Sequence, residues 1–221
     1  MDDTASKEHR DLFPAFLNIK GKTCIIVGGG DVAGRKAESL IECGADTTVI
    51  SPRVGPQVEA WAEKGRLTWR KKTFAPDDLD SAFAVFAATD SSDENKRIVD
   101  VCRQKGILVN AADEPRLCDF LVPSVLRRKS LAIAVSTEGK SPLLAKKIRE
   151  TLEEVITADY GEFLEMLGNA RSRIRESVSD ISQRRDIYEK LVSQDMLALL
   201  KAGKLKEAKE RIEQCISSLQ D

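Results

Sequence analysis

Thr23-Cys24-Ile25-Ile26-Val27-Gly28-Gly29-Gly30-Asp31-Val32-Ala33 decides the fold of this chain. A short apolar run reads as a buried strand, three glycines follow, and apolar residues then recur at helical spacing from Ala33 to Cys43. Strand, glycine turn and helix in that order match G-x-G-x-x-A, the alanine form of the dinucleotide-binding fingerprint. Gly28 permits the tight turn, Gly30 removes the side chain that would block a pyrophosphate, and Ala33 lets helix and strand approach closely. Gly28, Gly29, Gly30, Asp31, Val32 and Ala33 are the expected cofactor cradle, with phosphates on backbone N–H groups at the positive end of the helix. A glycine turn without a ligand is the plainer alternative.

Four further apolar runs read as strands: Thr47 to Ser51, Leu67 to Lys71, Ala84 to Ala88 and Ile107 to Asn110. Helices are expected between most of them, including Asn95 to Gln104. Strands alternating with helices imply a parallel sheet with right-handed crossovers, so the first part reads as an α/β, Rossmann-like domain. In the usual fingerprint an acidic residue after the second strand holds the ribose 2′-hydroxyl. Here that strand ends in Ser51-Pro52-Arg53, and the nearest acid, Asp46, precedes it. By charge alone Arg53 suits a 2′-phosphate and hence NADP; an unpaired surface arginine fits equally. Thr89 and Asp90 end the fourth strand, where carboxyl ends of the sheet line the cofactor crevice, although Asp90 could equally cap the next helix.

After Asp113 the pattern changes. Asp119 to Leu126 and Leu131 to Ser136 are apolar runs joined by Arg127-Arg128-Lys129-Ser130, the signature of a β-hairpin. No partner strand is evident, and a hairpin alone is marginally stable, so it is expected to extend a sheet or to pair with a second copy of the chain, the dimer being the favoured reading. From Ser141, an N-cap followed by Pro142, the chain reads as helix, with Leu144, Ile148, Leu152 and Ile156 on one face. Phe163, Leu167, Ile174 and Val178, then Ile187, Leu191, Met196 and Leu200, continue the spacing as ordinary core positions, with a break at Gly203. The expected organisation is a nucleotide-binding domain over 1–113, a dimerisation hairpin over 114–140 and a helical domain over 141–221.

The 221 residues are 42% hydrophobic and 32% charged, with a formal net charge of −1, a globular composition without the basic excess of a nucleic-acid binder. No apolar stretch nears the roughly 20 residues of a membrane span, and the N-terminus lacks a signal peptide's basic and apolar regions. Five scattered cysteines without a CxxC pair suggest reduced thiols in a cytoplasm.

Val27 to Ala33 with Arg35-Lys36, Ala87-Ala88-Thr89-Asp90, Val109 to Asp113, Phe120 to Ser124 and Ser141-Pro142 together resemble the precorrin-2 dehydrogenase and sirohydrochlorin ferrochelatase family, the N-terminal half of siroheme synthases. The resemblance implies NAD-dependent oxidation of precorrin-2 to sirohydrochlorin, in some members with insertion of Fe2+, or with Co2+ as the metal substrate. It implies cofactor contacts at Asp31, Val32, Pro52 and Arg53, and NAD rather than NADP. It puts the essential aspartate on Asp113. That chemistry needs a hydride and a neighbouring proton to leave, and a carboxylate can accept the proton; an isolated Asp, with a pKa of about 3.9, is ionised but weakly basic at neutral pH. A structural cap is the alternative role. The resemblance sets Ser136 and Thr137 in the tetrapyrrole-lining stretch, with Thr137 where a serine often stands; turn formation before Gly139 is simpler. Asn110 belongs to the Asp113 segment, and Arg116, Lys140 and Arg127 to Lys129 are candidate partners for the substrate's carboxylates, although a solvated hairpin end explains the last group. His9, the single histidine, reads as a bystander, and metal ligands stay unassigned. The rival from another class is an NAD-sensing module without catalysis.

Overall fold

A computed structural model describes residues 12–112 and 114–217. They divide into two compact units, with the boundary after Val122. The first unit alternates β1 (Thr23–Val27), α1 (Asp31–Glu42), β2 (Asp46–Ile50), α2 (Pro56–Glu63), β3 (Thr68–Arg70), β4 (Ala84–Ala87), α3 (Ser92–Lys105) and β5 (Leu108–Ala111). The strands form one parallel sheet in the order β3-β2-β1-β4-β5. Both faces are covered, which is why the strands are continuously apolar rather than alternating. Ile25, Val27, Val85, Ala87 and Val109 pack with Ile98, Val99 and Cys102 of α3. Cys24, Ile26, Val49 and Phe86 pack on the other side with Ala33, Ala37 and Leu40 of α1 and Val58 of α2. Burial pushes the thiol of Cys24 up to about 11 and that of Cys102 up to about 12, so both remain protonated core side chains.

The parallel register aligns Val27 with Ile50 and Ala87, and Ala87 with Ala111. Four strands therefore end level, and the turns after them converge at one end of the sheet. The order reverses direction between β1 and β4, the switch point where open α/β sheets hold ligands.

One expected strand is not formed as read. The run from Asp119 enters a strand only at Ser124, because residues 118–120 close the open edge of β5 instead. Asp119 accepts the Val109 N–H on Oδ2 at 2.9 Å and donates its own N–H to the Val109 carbonyl at 2.8 Å. The Asn110 side chain donates to the Phe120 carbonyl at 3.0 Å. These bonds serve the edge that a sixth strand would have covered.

The second unit carries the hairpin β6 (Ser124–Arg128) and β7 (Leu131–Val135), then α4 (Pro142–Val155), α5 (Ala158–Ser177), α6 (Ile181–Leu191), α7 (Gln194–Lys201) and α8 (Leu205–Ser217). The turn is shorter than expected: Arg128 pairs with Leu131, leaving Lys129, at φ 53°, and Ser130 outside the ladder. Nor does the hairpin lack cover within the chain. Leu126 is wholly buried, α4 and α5 pack on β6, Lys129 pairs with Glu162 at 2.6 Å and Ser130 donates to Glu165 at 2.6 Å. Ser141 caps α4 by accepting the Leu144 N–H at 3.2 Å, but Leu144 and Ile148 are exposed. Phe163, Ile174, Val178, Ile187, Leu191, Met196 and Leu200 form the helical core, and Gly203, at φ 68°, separates α7 from α8. Among the described residues no helix is long and apolar enough to cross a membrane.

Candidate active site

The glycine turn is built by packing on two sides. Gly28 has φ 124°, and a Cβ there would lie 2.0 Å from the Ala88 carbonyl oxygen. Gly29 is held just as closely, with a Cβ 2.0 Å from the Arg53 carbonyl oxygen and 2.7 Å from Ser51 Oγ. Gly30 differs: a Cβ there would meet nothing within 4 Å, because that side faces open space. Gly30 is also the N-cap of α1, and among the described residues no side chain caps the helix. Its first N–H groups are thus left for an anion, reinforced by the partial positive charge of a twelve-residue helix. Ala33 is fully buried against the sheet, as its place in the fingerprint requires.

A cleft of about 530 Å³ opens at this end of the sheet. Gly30, Asp31 and Val32 line one wall, Thr89 and Asp90 beyond β4 another, with Asn95 of α3 and with Ala112 and Glu114 beyond β5. Among the described residues the lining carries three carboxylates and no basic side chain, so an anionic ligand there is met by N–H groups. Asp90 does not cap α3. Ser91 does, accepting the Glu94 N–H at 3.3 Å, and Asp90 stays exposed at the cleft.

Pro52 and Arg53 lie in the loop after β2, whose shape is set by Ser51. Its hydroxyl donates to the Arg53 carbonyl at 2.6 Å, its carbonyl accepts Trp69 Nε1 at 2.9 Å, and Gly55 donates its N–H to Gly29 at 3.0 Å. The fingerprint sets Gly29 in the cradle without requiring glycine there, and gives Ser51 no task. Their role is legible only once the loop is seen lying on the glycine turn.

Beyond β5, Asn110 and Cys118 fasten the segment that returns to the sheet edge. Asn110 is buried, and its amide donates to Phe120 and, at 3.5 Å, to Cys118 Sγ. Cys118 Sγ accepts the Ala111 N–H at 3.2 Å, and its single proton goes to the carbonyl of Ala111 at 3.2 Å or of Glu114 at 3.4 Å. Asp113 lies outside the described residues, as does His9; the neighbours of Asp113, Ala112 and Glu114, both line the cleft. Arg116 stands exposed on the turn Pro115–Leu117. Lys36 was quoted only as part of the motif. It is half-buried on α1 with its ammonium 5.8 Å from the Phe86 ring centre, and burial lowers its pKa, opposed by Cys118 and assisted by Arg35.

The other candidates belong to the second unit and are engaged in its local structure. Ser136 accepts the Glu138 N–H at 3.1 Å, Thr137 accepts the Ser141 N–H at 3.1 Å, and Lys140 lies 3.6 Å from Glu138. These are the bonds of a turn before α4. Arg128 donates to the Ile156 carbonyl at 3.0 Å, so the basic hairpin end holds the fold as well as facing solvent.

Fold and glycine cleft define a dinucleotide-binding protein of the Rossmann type. Comparison with known proteins narrows this. Residues 15–124 match a family model described as putative NAD(P)-binding, 128–154 the sirohaem biosynthesis protein central model, and 159–216 the sirohaem synthase dimerisation region. The last falls on the helices rather than on the 114–140 segment expected to dimerise. The siroheme synthase of Nitrosococcus oceani is 39% identical over 200 residues, 90% of this chain and 43% of that protein. That of Enterobacter sp. is 38% identical over 90% of this chain and 44% of its own length. A solved structure named SirC, precorrin-2 dehydrogenase, is 28% identical with a TM-score of 0.77, covering 92% of this chain and all of that one. The chain belongs to the siroheme synthase family and corresponds to its N-terminal part. It spans less than half the length of the curated relatives it matches.

Proposed function

We propose that this chain catalyses the NAD-dependent oxidation of precorrin-2 to sirohydrochlorin. The observation that carries the reading is the match to the precorrin-2 dehydrogenase structure across both chains, which includes the cleft-bearing unit and the helical unit alike. The residues present fit a dinucleotide: Gly30 leaves space where a side chain would intrude, and the N-terminus of α1 offers uncapped N–H groups. Gly28 to Ala33 would hold the pyrophosphate and Pro52 and Arg53 the adenosine ribose, with Thr89 and Asp90 on the facing wall of the cleft. NAD is preferred over NADP on the family relationship, and the ratio of kcat/KM for the two cofactors checks it.

When bound, NAD+ supplies the hydride acceptor. Asp113 takes the proton lost from the neighbouring macrocycle atom, so that one hydride and one proton leave for each carbon–carbon bond made unsaturated. Arg116 in the first unit and, in the second, Ser136, Thr137 and Lys140 are each proposed as substrate contacts, the two cations through its carboxylates, while Asn110, buried, serves by holding the segment beyond β5. The active species is a homodimer assembled through the 159–216 region, working in the cytoplasm, where its cysteines stay reduced. Asp113→Asn should lower turnover by about a hundredfold or more with NAD binding retained. Full turnover by the folded variant would remove Asp113 from the mechanism.

A second activity is favoured by the name of the relatives, siroheme being the iron complex of sirohydrochlorin. Incubating the protein with sirohydrochlorin and Fe2+ without NAD separates chelation from oxidation.

A further inference from the structure

Asn95 has no part in the chemistry proposed above, yet it is 5% exposed at the wall of the cleft. It sits in the first turn of α3, where its own N–H reaches the Ser91 carbonyl at 3.0 Å. Among the described residues its side chain makes three hydrogen bonds, all of them to Thr89. Oδ1 accepts the Thr89 N–H at 3.1 Å and the Thr89 hydroxyl at 2.8 Å, while Nδ2 donates to the Thr89 carbonyl at 3.1 Å. The orientation of the amide is settled by chemistry, since the Thr89 N–H can only donate and must face the oxygen. Thr89 is the point where β4 has left the sheet, so its backbone has no ladder partner. Asn95 supplies one.

The same backbone supports the phosphate turn. A Cβ on Gly28 would lie 2.0 Å from the Ala88 oxygen and 3.0 Å from the Thr89 nitrogen, so the glycine turn rests directly on the Ala88-Thr89 peptide. Displacement of that peptide moves the support of Gly28, and with it the N–H groups at the start of α1. We infer that Asn95 is the positioning residue of the dinucleotide cleft, acting through Thr89 to hold the turn after β4 against the glycine turn. The inference rests on the cleft being the cofactor site.

Titration of NAD+ into the 221-residue protein by calorimetry, beside a thermal melt, tests it. Asn95→Ser should bind NAD+ about tenfold or more weakly, since small misplacements of a preorganised site are costly. Thr89→Val keeps the shape but deletes the hydroxyl's bonds to Asn95 and to the Ser91 backbone, and should weaken binding about threefold or more. Val99→Ala, a cavity in the core face of the same helix, should lower the melting temperature with NAD+ affinity within about twofold of wild type. A merely structural asparagine would behave like Val99. Folded Asn95→Ser protein with wild-type affinity overturns the inference, and if that variant does not fold, unchanged affinity in Thr89→Val overturns it. A wild-type protein that does not bind NAD+ removes the cofactor reading itself, a result distinct from tight binding by wild type and variant alike.

Discussion

Gly29 occupies a position that the dinucleotide fingerprint leaves open to any residue, and the structure closes it. Its α-carbon faces the Arg53 carbonyl so closely that a methyl group has no room. Gly29→Ala is therefore expected to push the loop after β2 outward, costing about 1–3 kcal/mol of stability and weakening NAD+ binding together. Denaturant unfolding and NAD+ titration read the two effects, and an unchanged pair would show that the loop moves freely. Cys118 is a second position whose task comes from its surroundings. Removing its sulfur leaves the Ala111 N–H unpaired in a buried place, so Cys118→Ala should cost about 1–3 kcal/mol by denaturant unfolding, and Cys118→Ser, which keeps a donor and acceptor, should cost less. Gly28, Gly30 and Ala33 were legible because their spacing encodes backbone geometry. Asn95, Cys118 and the need for glycine at position 29 were not, because each depends on a residue brought there by the fold rather than by a fixed offset.

The strands of the first unit were readable to within a residue, since buried parallel strands are short apolar runs bounded by turns, whereas α3 begins three residues before the expected Asn95. The exception lay at the edge. Residues 119–122 are as apolar as a strand, but Asp119 and Asn110 commit that segment to β5, and nothing in hydropathy distinguishes the two outcomes. The hairpin was seen, although its cover by α4 and α5 was not. Leu126→Ala should cost about 2–5 kcal/mol by denaturant unfolding, as for any large side chain wholly buried; a negligible change would mean the helices do not rely on the hairpin. The turn before β4 contributes a pH dependence. Burial raises the pKa of Asp78, but its hydrogen bonds to Lys72 at 2.9 Å and to the Ala75 N–H at 2.9 Å, with the charges of Lys72 and Arg70, leave it below the ordinary value. A depressed carboxylate stabilises the fold above its unfolded pKa of about 3.9 and loses that contribution as pH falls through the lower folded value. Melting temperature should accordingly fall in acid below about pH 4 and fall less in Asp78→Asn, whereas parallel curves for the two proteins would remove Asp78 from the acid response.

At the scale of the molecule, the sequence pattern suggests three segments, 1–113, 114–140 and 141–221, whereas the described residues form two compact units with the boundary after Val122. The face of α4 bearing Leu144 and Ile148, read as part of a helical stripe, proved exposed within the single chain. Self-association is thus expected at micromolar concentration, with light scattering giving twice the mass of one chain; a strict monomer would contradict the dimer. The central claim concerns what the dinucleotide cleft is for. An anaerobic reaction of the protein with precorrin-2 and NAD+, following NADH and sirohydrochlorin together, tests it most directly. The two products should rise in equal amounts, depend on the protein and fall sharply with Asp113→Asn. Tight NAD+ binding with no oxidation of precorrin-2 would contradict the account and leave a cofactor-sensing module in its place.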